Sequence, residues 1–392
     1  MVRFVHAADL HLDTPFEGLS RVAPELRERL VDASLLALDR LVELTLAERA
    51  EALLLAGDVY DGAERGLRAQ LRLLDATRRL SRAGVRVFIA HGNHDPVEEG
   101  WSAVRQWPDG VTIFPSDRVE VHRLVARDGT PFTVSGISYP RRDVRENLAA
   151  LFPRAQGPGV HIAVLHANVG SQGNHAPYSP CTVDDLARTG HHYWALGHIH
   201  RHALLRAEPA IVYPGVLQGR SFKPSELGPK GAVVVDAGRR CTVRFVELAP
   251  VRFEVVEVDA AACDDVGQVA EALAAAAEGG RVLRAVVRGA TPAYDALSRP
   301  EAGDALLRAV SDATPGASWA DLRLDVRPPV DLDGLADRGD LLGELAAQAA
   351  GLSADDVRAL LGAEAGLLGH DVGDHAELVR RAACLAITLL EE

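Results

Sequence analysis

Residues 52–62 read ALLLAGDVYDG: a short apolar run that gives way to glycine, an aspartate, and a second aspartate ahead of another glycine. Such a run, ending in turn formers, is expected as a buried strand whose following loop carries Asp58 and Asp61. Val2 to His6, Val85 to Ala90 and His161 to Leu165 repeat the pattern, each followed by polar, Gly- or His-containing residues. Between the first three runs lie Pro24 to Arg49 and Gly66 to Ala83. There Leu26, Leu30, Leu38, Leu41 and then Leu71, Leu74 recur at three- to four-residue spacing on a charged background, which predicts amphipathic helices. Strand, helix, strand, helix, strand implies an α/β sheet built by right-handed crossovers. The loops at the carboxyl ends of its strands then converge on one crevice.

From about residue 111 the strands come closer together: Val119 to Val125, Phe132 to Ser135, Ala203 to Leu205, Ile211 to Tyr213, Ala232 to Asp236 and Thr242 to Glu247. Gly and Pro turns separate them, so a mixed second sheet is expected. Phe253 to Val258, an Ala-rich helical stretch, Val282 to Val287 and Leu322 to Val326 predict a strand-helix-strand-strand α+β unit. After Pro328, Pro329 and Gly334, residues Leu341 to Leu390 are almost entirely Ala, Leu, Glu, Asp and Arg at helical spacing. The expected division is 1–249, 250–330 and 331–392.

The chain has 392 residues, which favours more than one core. Its hydrophobic fraction of 47% contains no apolar run of about 18 residues, so no membrane helix is expected. No secretory pattern stands at the N-terminus, which makes the cytoplasm the expected compartment. Cys181, Cys241, Cys263 and Cys384 form no CxxC pair and are expected as reduced thiols. A formal charge of −13 argues against coating nucleic acid by bulk electrostatics, though a local basic groove is compatible with it.

The residues just past each strand carry the chemistry. ADLHLD comes after the first, GDVYDG after the second and GNHD after the third; LHAN ends the fourth, and GHIHRH comes after Tyr193 to Leu196. If these strands are parallel neighbours, Asp9, His11, Asp58, Asn93, His94, His166, His198 and His200 share one rim. Oxygen and imidazole donors without cysteine suit Mn²⁺, Fe²⁺, Co²⁺ or Zn²⁺. Asp9 and His11, at i and i+2 in an extended segment, are expected to point to one side and grip one ion, and His198 and His200 to repeat the geometry. Asp58 is the single carboxylate placed to bridge two ions about 3.5–4 Å apart, the separation used in two-metal phosphoryl chemistry. His94 is then expected to stabilise or protonate a leaving oxygen. Asp61, Asp95 and His91 are expected to orient neighbouring groups by hydrogen bonds. The other histidines, His6, His122, His161, His175, His191, His192, His202, His370 and His375, are expected mostly on the surface or behind the ligands.

The ordered set DxH, GDxxD, GNHD, a lone His and GHxH resembles the calcineurin-like metallophosphoesterases. Within them, HAADLHLDTPFEGL (6–19), LLLAGDVYDG (53–62), HGNHD (91–95), ALGHIH (195–200) and IVYPGVLQGR (211–220) look most like the SbcD-type DNA repair exonucleases, particularly their YhaO-like branch. The resemblance covers about residues 1–247. It implies a four-layer α/β/β/α core in which Asp9, His11, Asp58 and His200 bind one Mn²⁺ and Asp58, Asn93, His166 and His198 the other, with His94 as catalytic histidine. It further implies a small capping domain, an SMC-like ATPase partner of the SbcC type docked through a C-terminal helical segment, and dimerisation through the catalytic domain.

Three functions remain open from the residues: a Mn²⁺-dependent DNA exonuclease, a metallophosphatase or a cyclic-nucleotide or small-molecule phosphodiesterase, and a catalytically silent scaffold for an ATPase. Arg141, Arg142 and Arg145, with Arg220 and Lys223, are candidate contacts to DNA backbone phosphates.

Overall fold

Alternate residues of the short apolar runs serve two different cores, which is why polar residues inside them are few. In the strand Ala52–Ala56 every residue is buried: Leu53 and Leu55 face a helical layer, while Ala52, Leu54 and Ala56 face a second sheet. The strand Val160–His166 divides the same way, Ile162 and Val164 to one side and Ala163 and Leu165 to the other. Two-sided burial of this kind belongs to sheets covered on both faces. The computed structural model describes residues 1–14, 16, 30–62, 66–99, 102–170, 177–351, 382–384 and 386–387.

The described chain divides into two compact units, Met1–Glu254 and Val255–Glu392. In the first, β1 (Val2–Ala7), β2 (Ala52–Ala56), β3 (Arg86–Ala90) and β4 (Val111–Ile113) run parallel. The helices α1 (Ala33–Ala47) and α2 (Leu67–Arg82) connect β1 to β2 and β2 to β3, and lay Leu38, Leu41, Leu73 and Leu80 on the outer face of that sheet. The part of the expected first helix that precedes residue 30 lies outside the described residues.

The second sheet contains β5 (Glu120–Val125), β6 (Pro131–Gly136), β7 (Val160–His166), β8 (Tyr193–Gly197), β9 (Ala203–Ala207) and β10 (Ala210–Tyr213), in the order β5-β6-β7-β8-β10-β9. The chain then returns to the first sheet, where β11 (Gly231–Ala237) pairs antiparallel with β1 and with β12 (Cys241–Glu247). Phe4, Leu54, Phe88, Phe114, Ile162, Tyr193 and Val233 fill the space between the sheets. Trp194, Phe152, Leu186 and Tyr139 cover the far face, with a 3-10 turn at Leu148–Leu151 and the short helix α3 (Val183–Ala187) above it. The layers are helix, sheet, sheet, helix.

One expectation is corrected. The five strands bearing the motifs are not one row of neighbours: β1, β2 and β3 lie in the first sheet, β7 and β8 in the second. An apolar run buried on both sides carries no mark of which sheet it joins.

In the second unit, β13 (Arg252–Asp259), which crosses the division, β14 (Arg281–Ala290) and β15 (Ser318–Arg327) form a sheet in that order. The helix α4 (Val266–Ala276) begins at an Asp265 cap that accepts the Gln268 N–H. Between β14 and β15 stand a short helix, α5 (Tyr294–Leu297), and α6 (Ala302–Ala313), so the expected strand-helix-strand-strand order lacked a helix. β14 and β15 pair in parallel, which requires a crossover of this kind. Helices α7 (Leu332–Ala336) and α8 (Leu341–Gly351) pack Leu332, Ala346 and Ala349 with Ala383, Cys384 and Ile387. Most of the helical pattern expected beyond residue 351, His370 and His375 included, lies outside the described residues.

Candidate metal centre

The strand registers bring the motif loops level. Ala56 of β2 sits opposite Ala90 of β3, and His166 of β7 opposite Gly197 of β8. Past the end of β1 the chain keeps parallel to the loop after β2, with the Asp9 N–H on Gly57 O at 3.0 Å and the His11 N–H on Asp58 O at 3.0 Å. This segment is not extended as expected. Asp9, His11 and Asp58 have φ of 50°, 41° and 49°, and His198 has φ 103°. Each left-handed residue costs about 1–3 kcal/mol, and four of them at one rim mark backbone held for function. The i, i+2 argument for pairing Asp9 with His11 therefore fails, although both side chains reach the same cluster.

His166 lies at the middle of the centre. Its Nδ1 donates to Ala56 O at 3.0 Å, which turns Nε2 toward Asn93 Oδ1 at 3.0 Å and Asp58 Oδ2 at 3.4 Å. Fixing a ring through one nitrogen so that the other can ligate is the usual support for a metal-binding histidine. The His94 N–H donates to Asp58 Oδ1 at 2.9 Å, and the His198 N–H to both oxygens of Asp9, at 3.0 and 3.1 Å. Ligand atoms of Asp9, His11 and His200 lie within 4.8 Å of one another, as do those of Asp9, Asp58 and His166, and those of His11, Asp61 and His94. The ring centroids of His166 and His198 stand 5.3 Å apart, and those of His11 and His200 5.2 Å.

The residues fit divalent ions on two observations. His11 is fully buried, yet neither ring nitrogen has a hydrogen-bond partner. Its Nδ1 stands 3.6 Å from Asp61 Oδ1, a Coulombic separation and not a hydrogen bond. A buried orphan imidazole is costly unless something ligates it. Asp9 and Asp58 are equally buried, with no lysine or arginine of the described residues against them. Burial pushes the Asp9 carboxyl up to about 6, against the pull of His166 and His200. Burial also raises Asp58, but the His166 imidazole outweighs it and holds the group well below the usual carboxylate range. Burial depresses His166, yet Asp58 and Asp9 raise it to about 9; burial lowers His11 to about 4. Buried carboxylates sharing protons with imidazoles form a donor set that divalent cations neutralise.

Around this cluster stand the supporting groups. His94 Nδ1 is 2.6 Å from Asp61 Oδ1. Burial opposes the charged form of His94, and Asp61 with Asp58 outweighs it, so its pKa rises above the ordinary histidine value. Asp95 accepts His91 Nδ1 at 2.8 Å and the N–H groups of Gly92 and Val59 at 2.8 and 2.9 Å, clamping the loops after β2 and β3 together. Sequence reasoning missed Glu226. It is 3% exposed, and its Oε1 lies 3.1 Å from His200 Nδ1. Its only signal is a glutamate within the Gly- and Pro-rich stretch that comes after IVYPGVLQGR. Tyr139 and Tyr178 were missed as well; they stand edge-on to His166 and His198 at 5.5 and 5.7 Å.

The candidate phosphate contacts divide. Arg141 and Arg145 are exposed and paired with Glu146 and Asp143, each at 2.7 Å; Arg142 and Lys223 are exposed. Arg220 turns inward, with Nη1 on Asp61 Oδ2 at 3.0 Å. Among the remaining histidines, His6, His161 and His191 are core residues and not surface groups. His6 bridges Tyr193 Oη and Leu196 O, and His191 bridges Ser135 and Thr189. His175 lies outside the described residues.

The model of one family, calcineurin-like phosphoesterase, matches residues 2–202. The chain belongs to the calcineurin-like phosphoesterases. The donors Asp9, His11, Asp58 and His166 make up its candidate dimetal centre. It is 39% identical over 233 residues to the uncharacterized metallophosphoesterase YhaO of Bacillus subtilis, covering 59% of this chain and 56% of that one. It is 22% identical over 248 residues to the DNA double-strand break repair protein Mre11 of Sulfurisphaera tokodaii, covering 60% and 59%. A 99-residue stretch is 39% identical to a subunit of the nuclease SbcCD of Rhodobacter capsulatus, covering 25% of this chain and 22% of that one. The chain thus spans less than two thirds of the length of these relatives. A dimetal phosphatase from Danio rerio aligns at a TM-score of 0.35 and 14% identity, covering 60% of this chain and 92% of that one. No helix among the described residues is long and apolar enough to cross a membrane.

Proposed function

We propose that this phosphoesterase is a Mn²⁺-dependent exonuclease that hydrolyses DNA phosphodiester bonds in DNA repair. The observation that carries the hydrolytic part is the buried donor cluster, with the unpartnered imidazole of His11 among its donors. Similarity to proteins named as a double-strand break repair protein and as part of a nuclease supports DNA as the substrate. Asp9, His11, Asp58 and His200 would hold one ion, and Asp58, Asn93, His166 and His198 the other. When bound, two such ions supply Lewis acidity that polarises a phosphoester and acidifies a water. His94, fixed at Nδ1 by Asp61, gives a proton from Nε2 to the leaving oxygen. Asp58, reached by the His94 N–H and by His166, keeps both halves of the centre in register.

Arg141, Arg142, Arg145 and Lys223 would contact backbone phosphates, with Arg141 and Arg145 exchanging their surface carboxylates for the substrate. Residues 250–330 would act as a capping domain and 331–392 as the docking segment for an SMC-like ATPase, in a cytoplasmic complex that dimerises through the catalytic unit. The test incubates purified protein and Mn²⁺ with labelled single- and double-stranded DNA, alongside an aryl phosphate monoester. DNA cleavage that disappears in His94→Gln while both ions stay bound supports the reading. Cleavage of the monoester alone overturns it.

A further inference from the structure

Two carboxylates hold two site imidazoles, and one guanidinium reaches both carboxylates. Asp61 Oδ1 is 2.6 Å from His94 Nδ1, and Glu226 Oε1 is 3.1 Å from His200 Nδ1. Arg220 Nη1 donates to Asp61 Oδ2 at 3.0 Å, and Nη2 lies 4.0 Å from Glu226 Oε1. The Arg220 backbone N–H donates to Glu226 Oε2 at 2.8 Å. The side chain is 15% exposed and its Nε is buried, out of reach of a ligand.

We propose that Arg220 is a positioning residue that locks Asp61 onto His94 and Glu226 onto His200, coupling the proton donor to one of the metal ligands, and is not a substrate-phosphate contact. The inference rests on the two-ion reading of the centre. Its physical basis is a choice open to Asp61. Oδ1 lies 2.6 Å from His94 and only 3.6 Å from His11, whose nitrogens have no hydrogen-bond partner. A carboxylate free to rotate has two imidazoles to choose from. Anchoring Oδ2 on a planar guanidinium fixes the carboxylate plane and keeps Oδ1 on His94. The second nitrogen of the same fork faces Glu226, so the two anions beside the centre share one cation. With Nδ1–H donating to a carboxylate, each imidazole presents Nε2 to the reaction. A lysine, as a point charge on a flexible stem, restores the charge but not the two-armed geometry.

The experiment compares the wild-type chain with Arg220→Met, Arg220→Lys and Asp61→Asn. Mn²⁺ binding is measured by calorimetry, and kcat and KM on an aryl phosphodiester. Arg220→Met is expected to weaken one of the two ions, the one held by His200, by about 10- to 100-fold and to leave the other unchanged. Its kcat should fall by a similar factor with KM unmoved, Arg220→Lys should recover only part of the loss, and Asp61→Asn should reproduce the kcat defect. If Arg220→Met fails to fold, Arg220→Lys and Asp61→Asn carry the same comparison. A rise in KM with kcat and Mn²⁺ affinity unchanged makes Arg220 a phosphate contact and overturns the inference alone. A wild-type chain that binds fewer than two ions overturns the two-ion reading and this inference with it.

Discussion

At the scale of the residue, partners and not burial alone decide the charge of each histidine. His166 and His6 are both fully buried, yet their partners separate them. His166 faces Asp58 and Asp9 and is raised to about 9 against its burial. His6 faces a tyrosine hydroxyl and a carbonyl, and burial lowers it to about 3. His6 therefore makes folding pH-dependent. Between its unfolded value of about 6.5 and 3, the unfolded chain binds a proton that the folded chain refuses. Its stabilising contribution is full above pH 6.5 and drains away as the pH falls toward 3, by on the order of 4–5 kcal/mol. In His6→Gln, the slope of unfolding free energy against pH between 6 and 4 is expected to drop by close to one proton, read from urea titrations across that range. An unchanged slope would mean that His6 is not the group that resists protonation. Glu226 and Arg220 show the limit of reading residues from sequence. Their value lies in partners 26 and 159 positions away, and spacing along the chain says nothing about such pairs.

At the scale of the element, the glycines that precede the ligands have a spatial cause. Gly57 has φ +93°, and a Cβ there would stand 2.2 Å from His166 Nδ1. Gly92 is tight in the same way, its Cβ meeting Asp58 Oδ1 at 2.3 Å. The loops after β2 and β3 can close around His166 only without side chains at these points. Gly57→Ala should destabilise the protein by about 3 kcal/mol, combining left-handed strain with a core clash. Gly62, at φ +97° with nothing within 4 Å, is the control; Gly62→Ala should lose only about 1–2 kcal/mol, from strain alone. Denaturant midpoints measure both, and a smaller loss at Gly57 than at Gly62 would refute the clash. Strands were legible wherever two cores claim alternate residues, as in Ala52–Ala56 and Val160–His166. The sheet to which Val160–His166 belongs was not, because its pairing is set by neighbours distant in sequence. Helix Ala302–Ala313 was missed because its buried stripe is short, Ala302, Leu306 and Val310, and begins one residue before Gly303, soon after Pro300.

At the scale of the whole first unit, the sandwich faces two sheets' strand ends at one point. β1, β2 and β3 deliver Asp9, His11, Asp58 and Asn93, while β7 and β8 deliver His166, His198 and His200. The ordered motifs made this set of residues legible. The backbone geometry that aims Asp9, His11, Asp58 and His198 was not, since left-handed φ at non-glycine residues leaves no signature in the sequence. In the proposed centre Asp58 would be shared by two metal ions while Asp9 would serve one. Metal content after dialysis against Mn²⁺ tests it directly in wild type, Asp9→Ala and Asp58→Ala. Two ions are expected in wild type, loss mainly of one in Asp9→Ala, and loss of both in Asp58→Ala with the fold retained. Equal metal content in the two mutants would contradict it.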